Sequence, residues 1–255
     1  MKNVPILALL ALCPAAAAAA KDGLPLGLRS AQLLPGWTAE DGSRVAALEL
    51  LLEPGWKTYW RSPGDSGLPP SFDWSGSSNL GDVTLHWPAP EAIQSGGETE
   101  LGYHERLVLP LTARPAAPGQ PVGLTVEAEL GLCENICVPA HLALTAPAAG
   151  TMPDPRITAA LAAAPQPLAE QPACRIDEIA DGLRVTIALP RAADLAAIEV
   201  TSRDDLWISV AQIAGAEATA ELVGPEAAPF ALDPAHLRLT AISAAGAVET
   251  TGCRL

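Results

Sequence analysis

Prolines and glycines interrupt this sequence so often that no long helix fits into it. With 25 prolines and 21 glycines in 255 residues, only short segments run unbroken. Those that do tend to alternate apolar and polar residues, the period of two that turns one face of a strand toward a core. Arg44 to Leu52, Arg106 to Leu111 and Val122 to Leu130 read as strands in the first half. In the second half Leu183 to Leu189, Ala197 to Val200, Leu206 to Val210 and His236 to Ile242 read the same way. Turn pairs such as Asp41-Gly42 and Asp181-Gly182 precede strands. Many short strands with frequent breaks predict an all-β chain of two β-sandwiches in tandem.

The boundary is expected near residue 150, where the composition changes. Trp37, Trp56, Tyr59, Trp60, Phe72, Trp74, Trp87 and Tyr103 all precede it, and only Trp207 and Phe230 follow. Between the halves lies a stretch rich in proline and alanine that reads as a linker. Within it Asp154 before Pro155 makes a helix N-cap and first turn, predicting one short helix over residues 155–164. The expected organisation is a signal over residues 1–20, a first sandwich over 21–148, a linker over 149–172 and a second sandwich over 173–255.

Residues 1–20 have the pattern of an export signal: Lys2, an apolar run from Ile6 to Leu12, and Ala18-Ala19-Ala20 before the cleavage point. No later segment has the roughly 18 apolar residues that a spanning helix needs, so an exported chain without a membrane span is expected. The formal charge of −14, with no basic run, argues against nucleic acid or anionic lipid as a partner. Neither a nucleotide-binding glycine motif nor a phosphate-cradling loop is present, and no cofactor is expected. Gly64-Asp-Ser-Gly has part of a serine-hydrolase signature but reads better as a turn.

Cys13 would leave with the signal, and the four cysteines that remain suit an oxidising compartment. Spacing favours Cys133–Cys137 with Cys174–Cys253. In the chain-entropy model a loop of about 80 residues is worth roughly 4.5 kcal/mol and one of about five residues roughly 2 kcal/mol. Cys174–Cys253 therefore reads as a structural staple. The small loop of Cys133–Cys137, at the end of an alternating strand, reads as a redox pair.

Gly55-Trp-Lys-Thr-Tyr-Trp-Arg-Ser-Pro-Gly-Asp-Ser-Gly-Leu-Pro-Pro, Trp87-Pro-Ala-Pro, Gly102-Tyr103 and Leu132-Cys-Glu-Asn-Ile-Cys-Val-Pro resemble, in that order, the N-terminal domain of the DsbD family. That family comprises bacterial thiol:disulfide interchange proteins, and the Cys-x3-Cys spacing is closer to its ScsB-like branch, linked to copper tolerance. The resemblance covers roughly residues 30–145 and implies a periplasmic, immunoglobulin-like first sandwich. The second half is similar to the additional β domain that follows in ScsB-like proteins. With the turn and cap patterns, the expectation is two tandem immunoglobulin-like sandwiches with a short linker helix. The resemblance also implies Cys133 and Cys137 as the redox pair, fed by a membrane-embedded or thioredoxin-like donor and reducing periplasmic clients. The family's membrane and thioredoxin-like domains are not found within these residues, so the donor is expected to be a separate protein. Residues 87–103 match the family's covering loop. It carries no aromatic between Glu91 and Glu100, which leaves Ile93 as the expected shield, with Tyr103 just after it.

Around the pair, Trp56, Tyr59 and Trp60 are candidates for an aromatic platform, although ordinary sandwich core would use them equally well. Glu134, Asp65, Glu91 and Glu98 are candidate proton-handling groups. Carboxylates close to a thiol disfavour its thiolate, so a selective, partner-dependent relay is expected. Cys137 is the expected accessible sulfur, because Pro139 should end strand pairing beside it. Two other readings stay open. Cys133, Cys137 and His141 are spaced four apart and with Met152 would suit Cu(I) if helical. Alternatively the sandwiches form a docking module in which the thiols are incidental or clip a hairpin.

Overall fold

The computed structural model describes residues 23–255; the expected export signal and Cys13 lie outside these residues. Ten strands form the first sandwich: β1 (Leu28–Thr38), β2 (Arg44–Leu52), β3 (Lys57–Gly64), β4 (Ser71–Asp73), β5 (Leu80–Leu85), β6 (Glu91–Ser95), β7 (Glu98–His104), β8 (Arg106–Pro115), β9 (Thr125–Cys133) and β10 (Cys137–Thr145). One sheet has the order β1-β2-β8-β5, the other β10-β9-β3-β7-β6 with β4 also paired to β9. Between them Leu48, Leu50, Leu109, Leu111, Leu124, Leu132 and Trp60 are shut off from solvent.

A short helix, α1 (Pro155–Ala162), follows, capped by Asp154, whose side chain accepts from the Arg156 backbone N–H. The stretch that reads as a linker is not free of its neighbours. Ile157 is fully buried against Leu34 and Ala47 on the outer side of the first sandwich. Arg156 also pairs with Glu49, a buried carboxylate that Arg106 and Gln32 satisfy from other directions. A buried charge held this way keeps its partners in place, because it would be uncompensated without them.

The second sandwich comprises β11 (Gln166–Pro167), β12 (Cys174–Ile179), β13 (Gly182–Ala188), β14 (Leu195–Val200), β15 (Trp207–Ile208), β16 (Gln212–Ala214), β17 (Glu217–Val223), β18 (Leu237–Ser243) and β19 (Gly246–Thr251). Its sheets have the orders β11-β19-β18-β14 and β12-β13-β17-β15, with β16 beside β17. Cys174 and Cys253 are joined by a disulfide that ties the start of β12 to the residues after β19. The chain is thus all-β, with two tandem immunoglobulin-like sandwiches and one short helix between them. The sandwiches share packing, since Ala197 and Val210 of the second belong to the apolar core of the first.

One local expectation changes. Pro139 does not end pairing: it sits opposite Gly131 within the β9–β10 ladder. Because β10 is the sheet's edge, a residue with no N–H to donate is tolerated there.

Candidate functional site

Strand β3 determines the site. It pairs with β9 only through Lys57↔Cys133 and Thr58↔Leu132, and with β7 through Lys57↔His104, Thr58↔Tyr103 and Tyr59↔Gly102. Alternation puts Lys57, Tyr59 and Arg61 on the face away from the core, while Trp60 points inward. Tyr59 is nevertheless 1% exposed, and the reason is glycine on either side. A Cβ at Gly131 would come 2.8 Å from the Tyr59 ring, and one at Gly67 2.7 Å from it. Three strands and a returning loop therefore close over a tyrosine that the sheet would otherwise expose.

Cys133 ends β9 and Cys137 begins β10, and a disulfide joins them across the hairpin. Cys133 is 1% exposed, whereas Cys137 lies on the surface. The Tyr59 hydroxyl stands 2.9 Å from Cys133 Sγ and 3.3 Å from Cys137 Sγ. Its third neighbour is Glu100 Oε1, 3.3 Å away, which also accepts from the Ser66 hydroxyl at 3.0 Å. The other Glu100 oxygen is ion-paired with Lys57. Both charges are buried, so each depends on the other.

One phenolic proton thus faces three acceptors. A disulfide sulfur accepts weakly and a carboxylate strongly, so the oxidised state favours donation to Glu100. Burial first, and then the Glu100 charge, push the Tyr59 phenol above its ordinary value of 10.0, which keeps its proton on. A thiolate formed at Cys133 would compete for that proton as a charged acceptor, and hydrogen bonding to the charged form favours it. The arrangement can therefore stabilise a buried sulfur anion while offering the other sulfur to solvent.

The remaining candidate residues lie elsewhere. Tyr103 faces the core, stacked on Trp87 at 6.5 Å and donating to the Pro88 carbonyl at 2.8 Å. Trp56 and Trp60 are core residues, and Trp56 packs against Gly27. Ile93 is buried on the β6–β7 hairpin and touches Gly102, the partner of Tyr59; the sulfurs are contacted by Tyr59 instead. Glu134 is exposed and lies over Gly55. Asp65 is turned toward the second sandwich, where it accepts from the Val210 N–H at 2.9 Å. Glu91 reaches His104 at 3.4 Å, and Glu98 is exposed. Sequence reasoning missed Lys57, Glu100 and Ser66.

The spacing of four between Cys133, Cys137 and His141 falls on a hairpin rather than a helix. Cys137 and His141 are four residues along one strand, about 13 Å apart at the usual rise, and His141 faces Glu127 at 3.7 Å. Among the described residues no three His, Cys, Asp or Glu side chains converge as a metal site.

Fold and site together define a tandem immunoglobulin-like sandwich protein with a hairpin disulfide held against a buried tyrosine. Residues 30–148 match the family described as thiol:disulfide interchange protein DsbD, N-terminal. Among solved structures, the N-terminal periplasmic domain of ScsB from Proteus mirabilis is similar over 88% of this chain and 91% of that one, with a TM-score of 0.64 and 22% identity. No curated protein matches. The first sandwich thus carries the match to the DsbD N-terminal family, and the likeness to the ScsB domain is one of fold across both sandwiches. Among the described residues no helix is long and apolar enough to cross a membrane.

Proposed function

We propose that this chain is a periplasmic thiol–disulfide exchange module that relays electron pairs through Cys133–Cys137, from a separate donor to client proteins. The contact that carries the reading is the Tyr59 hydroxyl at 2.9 Å from the buried Cys133 sulfur, with Cys137 exposed beside it. A donor thiolate attacks Cys137 Sγ, the S–S bond breaks, and Cys133 leaves as a thiolate that takes the Tyr59 hydrogen bond. The donor's second thiol then attacks its own sulfur in the mixed disulfide and releases Cys137. The pair has gained two electrons and the donor has become a disulfide. Run in reverse, Cys137 attacks a client disulfide and Cys133 resolves the mixed species, which leaves the client reduced. The match of residues 30–148 to a thiol:disulfide interchange family supports the reading, as does the periplasmic origin of the ScsB domain. A membrane-embedded or thioredoxin-like protein is the donor that the family match of residues 30–148 supports.

The test is a glutathione titration of the purified protein, with mass spectrometry reading each cysteine pair separately. Exchange competence requires Cys133–Cys137 to reduce well above about −300 mV while Cys174–Cys253 stays oxidised. If both pairs resist reduction equally, Cys133–Cys137 is a hairpin clip and the relay reading fails.

A further inference from the structure

The outer face of β3 serves two masters. Lys57 and Tyr59 belong to the disulfide, but Arg61, next along the same face, reaches the second sandwich. Its Nε donates to Glu199 Oε1 at 2.8 Å and its Nη2 to Glu199 Oε2 at 2.8 Å. The same guanidinium pairs with Glu249. Glu199 lies on β14 and is itself buried, so this is a planar, two-pronged pair removed from water rather than a surface contact. Strand β3 is free to make it because it pairs with β9 only at Lys57 and Thr58, and its register with β7 breaks between Tyr59 and Gly64.

The chain is then caught a second time. Asp65 Oδ1 accepts from the Val210 N–H at 2.9 Å, and its Oδ2 accepts from the Thr99 N–H at 3.2 Å. Its carbonyl accepts from Trp207 Nε1 at 3.0 Å. Val210 packs where a side chain on Gly64 would lie, since a Cβ there would come 2.5 Å from Val210 Cγ2. Immediately afterwards the chain returns to the site. Ser66 donates to Glu100, Gly67 lies on the Tyr59 ring, and Leu68 packs on Gly131.

We propose that the second sandwich is a positioning element for the disulfide: Arg61 and Asp65 fix the path of residues 61–68, and that path holds the Tyr59 hydroxyl against Cys133 and Cys137. The inference rests on the exchange reading above and assigns a role within it to the second sandwich. The geometry favours coupling because the anchors lie two and six residues from Tyr59 on one continuous run. The hydroxyl they control chooses between a carboxylate and two sulfurs over a spread of only 0.4 Å (2.9 to 3.3 Å). Neither Arg61 nor Asp65 touches a sulfur, so both act through Tyr59.

The experiment is a double-mutant cycle on the reduced-to-oxidised ratio of Cys133–Cys137 at fixed glutathione poise, using the full chain. Tyr59→Phe is expected to lower that ratio by up to about tenfold, the scale of one hydrogen bond to a charged group. Asp65→Ala should lower it about three- to tenfold in the wild-type background and leave it unchanged on top of Tyr59→Phe. Trp207→Phe removes the indole donor and trims a half-exposed side chain, so it retains the fold, and it should act in the same direction by about two- to threefold. Ratios that ignore Asp65→Ala and Trp207→Phe overturn the inference. So do ratios that shift equally with and without the Tyr59 hydroxyl. A wild-type pair that never reduces sinks the exchange reading itself and this inference with it, whereas a reducible pair indifferent to the interface sinks this inference alone.

Discussion

Tyr59 and Cys133 lie on neighbouring strands, and the hydroxyl of one stands 2.9 Å from the sulfur of the other. The contact exists because Gly131, two residues before Cys133, leaves space for the ring. Removing the hydroxyl leaves the packing and takes away the donor. In Tyr59→Phe a Cys133 thiolate loses a hydrogen bond worth about 1.5 kcal/mol, which for a two-electron couple corresponds to about 30 mV. Because the oxidised state loses the Glu100 hydrogen bond in the same variant, the potential of Cys133–Cys137 should become more negative by up to that amount, as read by glutathione equilibrium. An unchanged or more positive potential would mean that the tyrosine does not favour the reduced state.

Gly131 permits a sharper steric test. An alanine Cβ would meet Tyr59 Cδ2 at 2.8 Å and Leu68 Cβ at 3.0 Å, and both neighbours are packed. Gly131→Ala should cost about 1–3 kcal/mol through overpacking and shift the disulfide potential in the same direction as Tyr59→Phe. Alanine in an ordinary strand position would instead add about 0.5–1 kcal/mol of stability. Urea midpoints distinguish the two, and a more stable variant would show that the ring is not confined there.

Much of this fold is legible in the sequence, and the site only in part. Arg44 to Leu52 is a nearly continuous apolar run that forms a strand with those bounds, and Asp154-Pro155 starts a helix as such a pair should. The cysteine hairpin is visible because its residues are adjacent. Lys57 and Glu100 are 43 positions apart by their numbers, and each alone looks like a solvated charge. The period-two pattern of Lys57, Tyr59 and Arg61 was a signal, but it reads as an exposed polar face until something covers it. What covers it is a returning loop and a second sandwich, neither of which leaves a local pattern in β3. Asp65 and Tyr103 show the converse. Proximity in sequence to a turn or to the matching loop suggested the disulfide, whereas hydrogen bonding assigns one to Val210 and the other to Pro88.

The two disulfides should differ in what they contribute to stability. Cys174–Cys253 closes a separation of 79 residues and Cys133–Cys137 one of 4. On chain entropy, replacing the first pair by serines should cost about 4.5 kcal/mol and the second about 2 kcal/mol. Urea unfolding of the two double variants checks the order. Equal losses, or a larger loss at Cys133–Cys137, would contradict the division into staple and exchange pair.

Alkali should expose the same buried tyrosine. The chain has 2 tyrosines, both buried. Burial and then Glu100 raise the Tyr59 phenol, and burial raises that of Tyr103. Above the ordinary phenol value of about 10 the unfolded chain has lost both protons while the folded chain keeps them, so the folded state binds more protons and stability falls as pH rises. The contribution is present in full below that value and disappears above it, by up to about 1.4 kcal/mol per pH unit for each tyrosine. Ultraviolet absorbance should therefore show little phenolate until the protein unfolds, and then both phenolates together in one cooperative step. Tyr59→Phe and Tyr103→Phe should each flatten the alkaline limb of the stability profile. Early, non-cooperative titration of one phenol in the folded protein would show that the Tyr59 hydroxyl is open to water, and the closed tyrosine–disulfide contact would have to be abandoned.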